Sequence, residues 1–279
     1  MDFGLLSAIG AALVWGAYIF VLKRSFSGYP PAGLTVLINA AAIAWFLPVT
    51  VATNDLGAAA IASDPLAAPG LIARSMAAVD PAAVAVVAGT AAATAAAFVL
   101  FLRAIARGDV SYVTPINKVV PMFVLPLEVL LLGEVLAPLI GAVHSRPAQL
   151  ALVSAACYAL ADLGKRVALQ ELAIPGTLWV PLLLAGAGLV LLPSALRTPP
   201  TVTRRDAPKF LAAGALVALG EHLTTIAFAS LPASVASPVI NTQAIIAVVL
   251  GGILLGERYF RVRLVAALLA VVGVSMIAL

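Results

Sequence analysis

Two stretches of the chain share one internal spacing: SYVTPINKVVPMFVLPLEVLLLGE at residues 111–134 and SVASPVINTQAIIAVVLGGILLGE at residues 234–257. In each stretch a proline follows a serine by four residues, and the apolar run after it ends in Gly-Glu. A shift of 123 residues, from Ser111 to Ser234, aligns them without a gap. Equal spacing of these elements indicates that the chain contains a duplicated unit.

The composition places both copies in a membrane. Of the 279 residues, 63% are hydrophobic and 10% are charged, and the mean hydropathy is +1.13. A soluble domain of this size could not cover its surface with 16 basic and 12 acidic residues. The apolar content is mainly Ala, Val, Leu and Ile, which is typical of packed helices and not of the alternating strands of a β-barrel. We therefore predict an all-α integral membrane protein.

Nine segments are long enough to cross a bilayer as helices, which takes about 20 apolar residues each. A further segment, Val135 to Val143, would reach only about 15 Å, half of the hydrocarbon thickness. Two connections are long: Asn54–Asp80 is rich in alanine but interrupted by acidic residues and prolines, so it should lie outside the bilayer or at its surface, and Arg197–Lys209 is a polar tether that contains prolines. No soluble domain is expected. The predicted spans are Phe3–Leu22, Gly33–Thr53, Pro81–Leu102, Val110–Gly133, Ala148–Leu169, Gly176–Leu196, Phe210–Leu231, Ser234–Gly256 and Val262–Leu279.

The distribution of basic residues tests whether the short segment completes a crossing. With ten crossings, twelve basic residues fall on one side of the membrane and three on the other; with nine, the division is six against nine. The positive-inside rule therefore favours ten crossings, which makes the second half inverted relative to the first. The predicted halves are residues 1–143, with four full spans and the short segment, and residues 148–279, with five spans. The same bias places both termini outside, and the orientation stays open.

The paired proline and Gly-Glu motifs resemble those of the EamA-like family in the drug/metabolite transporter superfamily, and the likeness covers nearly the whole chain. The resemblance implies a ten-helix bundle of two inverted five-helix repeats around a central cavity, here with the fifth helix abbreviated. It also implies the outward movement of small metabolites, often amino acids. One further position departs from the family: its motif proline is present as Pro121 but is replaced by Ala244 in the second half.

Ionisable side chains within a membrane span are costly, so each is a functional candidate. In the fourth span Thr114, Asn117, Lys118 and Glu128 lie on one helix face, which should point toward water or substrate. Lys118 could instead extend its ammonium to the nearer interface. For Glu128 an interhelical hydrogen bond is the favoured alternative.

Glu221 is the strongest single candidate, because it lies near the middle of its span. It shares a face with Thr225 and Phe228, whereas His222 points about 100° away. A carboxylate at that depth would carry a proton or pair with a cation such as Lys118. Histidine side chains ordinarily titrate near neutrality, which makes His222 a candidate, but a lone histidine within the membrane more often bonds to a neighbouring helix.

Asp162 shares a helix face with Tyr158, Lys165 and Arg166 and is a candidate for substrate binding. Because Lys165 and Arg166 follow Asp162 by three and four residues, mutual neutralisation is an equally good interpretation.

Two prolines are candidate helix breaks. Pro115 and Pro238 each remove a backbone hydrogen bond, and the freed carbonyls could bind water or a substrate ammonium. A simple packing kink is equally consistent. Ser237 and Asn241 lie on the face of Pro238, the repeat counterpart of the fourth-span face.

Aromatic and amide residues of the first two spans could line the same cavity, namely Trp15, Tyr18 and Asn39. Trp and Tyr are often interfacial anchors, which is the favoured alternative.

We expect a secondary transporter, an exporter of a small polar substrate such as an amino acid, in the plasma or inner membrane of the cell. Its partners would be the lipid bilayer, the small-molecule substrate and protons if transport is coupled, with no nucleic acid, as a monomer or homodimer. No cofactor or metal is expected, since the single Cys157 and the two histidines, His144 and His222, form no ligand motif. The alternatives are a non-transporting scaffold or lipid-handling protein and, less favoured, an intramembrane enzyme.

Overall fold

The computed structural model describes residues 3–53, 81–117 and 146–256, together with six residues between 260 and 268. All regular structure in these residues is helical. Six helical segments of the described part are long and apolar enough to cross a membrane, which supports a multi-pass membrane protein. The helices are α1 (Phe3–Phe26), α2 (Pro31–Thr53), α3 (Pro81–Arg107), α4 (Val110–Asn117), α5 (Arg146–Arg166), α6 (Gly176–Arg197), α7 (Ala207–Ser230), α8 (Ala233–Asn241) and α9 (Gln243–Leu254).

The helices begin and end within a few residues of the predicted spans, with three differences. Helix α5 ends at Arg166 and continues as a π-helical turn over Val167–Glu171. The span predicted for residues 234–256 is divided into α8 and α9 at Thr242. The predicted connection Arg197–Lys209 is shorter, because α6 includes Arg197 and α7 begins at Ala207. The short segment Val135 to Val143 and most of the fourth and last spans lie outside the described residues.

The packing of the helices follows a pseudo-twofold relation between the halves. If α1, α2 and α3 correspond to α5, α6 and α7, the contact of α1 with α7 is equivalent to that of α5 with α3. Likewise α2 packs on α7 as α6 packs on α3, and α2 packs on α6, its own counterpart. The duplication in the sequence is therefore also a duplication of helix contacts.

The direction of the helices agrees with an inverted arrangement. A Cβ atom placed on Gly108, just before α4, would lie 3.3 Å from Cβ of Pro147, at the start of α5. Helices α4 and α5 thus begin at the same end of the bundle, whereas nine crossings would place these starts at opposite ends. Helices α1 and α5, the first of each half, run in opposite directions. The count of ten helices itself stays a prediction.

Basic residues collect at one end of the bundle, which we call the arginine-rich end. Within residues 3–53, 81–117 and 146–256, this end holds Lys23, Arg24, Arg103, Arg107, Arg146, Arg197, Arg204, Arg205 and Lys209, on helix ends and the α6–α7 connection. Lys165 and Arg166 lie toward the opposite end, at the end of α5.

Small residues allow the helices to approach closely. A Cβ atom on Gly164 would lie 2.0 Å from Oγ1 of Thr90 in α3, and one on Gly214 would lie 2.6 Å from Cβ of Ala41 in α2. Without a hydrophobic driving force in lipid, such close van der Waals contact is a main source of helix association. These contacts hold the walls of the central cavity in place.

Candidate functional site

A central cavity lies between the two halves. Its interior leaves about 110 Å³ for the centres of water-sized molecules. Its walls come from α1, α2 and α3 on one side and from α5, α6, α7, α8 and the start of α9 on the other. The side chains with polar atoms that line it are Trp15, Tyr18, Thr35, Asn39, Thr94, Tyr158, Asp162, Lys165, Glu221, Thr224, Ser237, Asn241 and Gln243.

A buried ion pair joins α5 to α7 across this cavity. Nζ of Lys165 donates to Oε2 of Glu221 at 3.0 Å, and the two side chains are only 6% and 10% exposed. The Lys165 ammonium also lies 5.7 Å from the centre of the Phe228 ring, within the range of a cation–π contact. Desolvating two charges is expensive, and removal of one partner would leave the other uncompensated. Such a pair is a weak source of stability and a strong constraint on the charge of the cavity.

A chain of hydrogen bonds connects α8 to the same wall. Nδ2 of Asn241 donates to Oγ of Ser237 at 3.1 Å, and Oγ of Ser237 donates to Oδ2 of Asp162 at 2.9 Å. Because Pro238 has no backbone N–H, the helix here is already short of one bond. The helical hydrogen-bonding pattern is interrupted at Thr242, four residues later. The polar face of α8 therefore reaches the cavity just before the interruption at Thr242, whereas Pro238 itself lies inside the helix.

Aromatic side chains form the wall on the side of the first half. Nε1 of Trp15 donates to Oγ1 of Thr224 at 3.0 Å, and its ring meets Tyr18 edge to face with the ring centres 5.6 Å apart. Tyr18 stacks on Phe98 at 6.0 Å. The Tyr18 hydroxyl is buried and has no hydrogen-bond partner among the described residues. This wall can pack against an apolar group while offering a hydroxyl.

The structure brings together six of the residues singled out from the sequence. The cavity is lined by Trp15, Tyr158, Asp162, Glu221, Ser237 and Asn241. The favoured alternative for Trp15, an interfacial anchor, does not apply, because its indole hydrogen-bonds to α7 between the helices. The two further candidates of the first half, Tyr18 and Asn39, also line the cavity.

Four other predicted residues lie away from this cavity. Nδ2 of Asn117 donates to the Ala151 carbonyl and to Oγ of Ser154, so it ties α4 to α5. Thr114 is fully buried on the same short helix. His222 packs against Phe46 of α2, with the ring centres 5.2 Å apart.

The fourth of these, Thr225, contacts the start of α6, where a Cβ on Gly176 would lie 2.9 Å from its Cγ2. Pro115 lies inside α4, which remains helical through it. Lys118 and Glu128 lie outside the described residues.

From the sequence alone, Lys165 is expected to neutralise Asp162, and Lys118 is the expected cation for Glu221. The structure pairs Lys165 with Glu221, 56 residues further along the chain. Helical periodicity shows which residues share a face of one helix, but it cannot show which residue a second helix places opposite. The only sequence signal that sets Lys165 apart is its repeat position, which corresponds to that of Lys23 in the first half.

No metal site is formed by the described residues, among which no group of three or more His, Cys, Asp or Glu side chains is close enough to hold an ion. The cavity offers charges, amides, hydroxyls and aromatic rings instead. These groups bind organic molecules by hydrogen bonds and ionic contacts.

A helical multi-pass membrane protein with a polar cavity between two related halves is the class that this fold and site define. The model of the EamA-like transporter family matches residues 2–142 and again residues 146–279. The chain belongs to the EamA-like transporter family, within the drug/metabolite transporter superfamily, as its motifs predicted.

No curated protein matches the sequence. Among the solved structures that match, a crystal structure is similar with a TM-score of 0.62 and 17% sequence identity, over 99% of this chain and 97% of the other, and this likeness concerns the fold alone.

Proposed function

We propose that this protein is a secondary transporter that exports small polar metabolites, such as amino acids, by alternating access. The observation that carries the proposal is the buried Lys165–Glu221 pair in a cavity at the junction of two repeats. A soluble cargo can meet such charges only if the cavity opens to water, and charged groups buried in a membrane protein mark transport pathways.

The chemistry of the cavity supports a zwitterionic cargo. Lys165 can bind a carboxylate, while Glu221 and Asp162 can bind an ammonium. The aromatic wall with Trp15 and Tyr18 can pack against an apolar side chain. A lipophilic cation would use the acidic and aromatic groups but would leave the lysine unmatched.

The paired helix contacts support alternating access. Since α1 and α7 pack as α5 and α3 do, the two halves can exchange conformations without new types of contact. We further propose that ten helices are present, that the protein lies in the plasma or inner membrane as a monomer or homodimer, and that it binds no nucleic acid. The pH gradient in the assay below tests coupling to protons through Glu221.

Flux into proteoliposomes tests this function. The purified protein is reconstituted, and uptake of labelled amino acids, sugars and nucleosides is measured with and without a pH gradient. We expect saturable flux of amino acids that is reduced at least about tenfold by Glu221→Gln, because this change removes one charge of the buried pair. Glu171→Gln, which alters an exposed acid outside the cavity, is the matched control and should transport normally. Flux equal to that of protein-free vesicles for every compound would refute the proposal.

A further inference from the structure

Lys23 and Lys165 occupy corresponding positions in the two halves. The segment ALVWGAYIFVLKR, which begins at Ala12, aligns with SAACYALADLGKR, which begins at Ser154, so that each first helix ends in a Lys-Arg pair. Both pairs lie in the last turn of their helix, α1 or α5. Two side chains at equivalent positions of a duplicated fold would be expected to make equivalent contacts.

The contacts of the two lysines are different. Nζ of Lys23 donates to the carbonyl of Ile105 at 2.7 Å and to that of Gly108 at 3.1 Å, at the end of α3. The last carbonyls of a helix have no partner within the helix, so Lys23 acts as a cap. Lys165 instead enters the cavity and pairs with Glu221.

The corresponding carbonyls of the second half are capped by another residue. The repeat shift of 123 residues moves Ile105 to Phe228 and Gly108 to Leu231. Nε2 of Gln170 donates to these two carbonyls, at 2.7 Å and 3.0 Å. The amide of Gln170 therefore caps the end of α7, as the ammonium of Lys23 caps the end of α3.

The π-helical turn after α5 is what presents Gln170. The backbone N–H of Leu172 bonds to the carbonyl of Val167, five residues back, and Ala173 adopts a left-handed conformation with φ of 50°. A wide turn of this kind is costly for the backbone and frequently lies at functional sites. Here it extends the end of α5 far enough for Gln170 to reach the end of α7.

We propose that Lys165 is the residue that binds the carboxylate of the cargo. It is available for this role because Gln170, and not Lys165, caps the end of α7. The inference rests on the proposed function, and it deepens it by naming the chemical group recognised. Glu221 holds the ammonium of Lys165 until the carboxylate of the cargo takes its place. One carboxylate then replaces another, so the buried cation keeps a partner throughout. Gln170 is a positioning residue, since it acts through Lys165.

Cargo with and without a carboxylate tests the proposal. Leucine, serine and phenylalanine are compared with their carboxamides as competitors of labelled amino-acid binding to the purified protein. Lys165→Met alone would leave Glu221 buried without its partner, so the decisive variant is Lys165→Met with Glu221→Met, which removes both charges. We expect the wild type to prefer the acids by at least about tenfold, and the double variant to bind acid and amide equally.

The corresponding lysine of the first half is the control. Lys23→Met should lower the midpoint of thermal unfolding and leave the acid-to-amide ratio unchanged, because it removes only a cap. Gln170→Leu should reduce this ratio, whereas Gln170→Lys, which copies the cap of the first half, should retain it. If Gln170 were only a helix cap, Gln170→Leu would lower the thermal stability without changing the acid-to-amide ratio.

The outcomes separate the two proposals. A double variant that binds cargo and still prefers the acids would overturn the role of Lys165 and leave the transporter proposal standing. A wild type that neither binds nor moves any of these compounds would overturn both.

Discussion

At the scale of single residues, the cavity depends on side chains held by specific neighbours. Trp15 is positioned by its hydrogen bond to Thr224 and by Gly220, against which its indole ring lies. A polar or aromatic group in a binding site is useful only when such contacts restrict it to one rotamer. The sequence showed which residues were polar within spans, and the neighbours that orient them came from other helices.

Gly220→Ala tests the contact with Trp15. An added Cβ would lie 2.9 Å from Cε2 of the indole, so the ring must move away and the bond to Thr224 must lengthen. We expect cargo affinity to fall about three- to tenfold, which corresponds to the loss of roughly one hydrogen bond. Affinity is measured by equilibrium binding to the purified protein.

Gly188→Ala is the matched control, because an added Cβ at this glycine meets nothing within 4 Å. Equal affinities of the Gly188 and Gly220 variants would argue against a role for Trp15 in the site.

At the scale of helices, close approach through small residues determines the shape of the cavity. Helix α5 carries Asp162 and Lys165, and it packs against α3 where Gly164 meets Thr90. Any separation of these helices would shift both charged residues relative to α7. Stability and function are therefore linked through the same helix contact.

Gly164→Ala should destabilise the protein. Its Cβ would lie 2.0 Å from Oγ1 of Thr90, and overpacking of this kind costs about 1–3 kcal/mol. Thermal unfolding in detergent measures the effect, and Gly89→Ala on the facing helix, where an added Cβ meets nothing within 4 Å, is the control. Adding Thr90→Ala should restore part of the loss. A Gly164→Ala protein as stable as the wild type would show that the helices can separate freely.

At the scale of the whole molecule, the arginine-rich end gives the bundle a direction. The positive-inside rule predicts that this end faces the cytoplasm. Helix α1 begins at the opposite end, so the described N-terminal residues would then face outward. The side of the membrane on which a transported cargo would be released depends on this orientation.

Cysteine labelling tests the orientation. With Cys157→Ala as background, Thr201→Cys places a thiol at the arginine-rich end and Glu171→Cys places one at the opposite end, both at exposed positions. A membrane-impermeant maleimide on intact cells should label the cysteine at 171, and it should label the cysteine at 201 only after permeabilisation. The reverse pattern would show that the basic residues do not set the orientation.

Much of the fold and part of the site could be predicted from the sequence. The bounds of the helices followed from apolar length, and the distribution of basic residues predicted that α4 and α5 begin at the same end of the bundle. Glu221 and Asp162 were found because ionisable groups are rare in lipid. Asn117 and His222 were also singled out as polar residues within spans, but they pack between helices, because a polar face can be buried by a neighbour as well as by a cavity.

The sequence by itself determined that the chain spans a membrane as a duplicated helical unit, because both properties depend on local apolar length and on internal similarity. Only the tertiary structure decided which charges meet. Lys165 and Glu221 lie on different helices, and Lys165 is available to pair because Gln170 caps α7 in its place. These contacts depend on how helices distant in sequence approach one another, which the periodicity of a single helix does not encode.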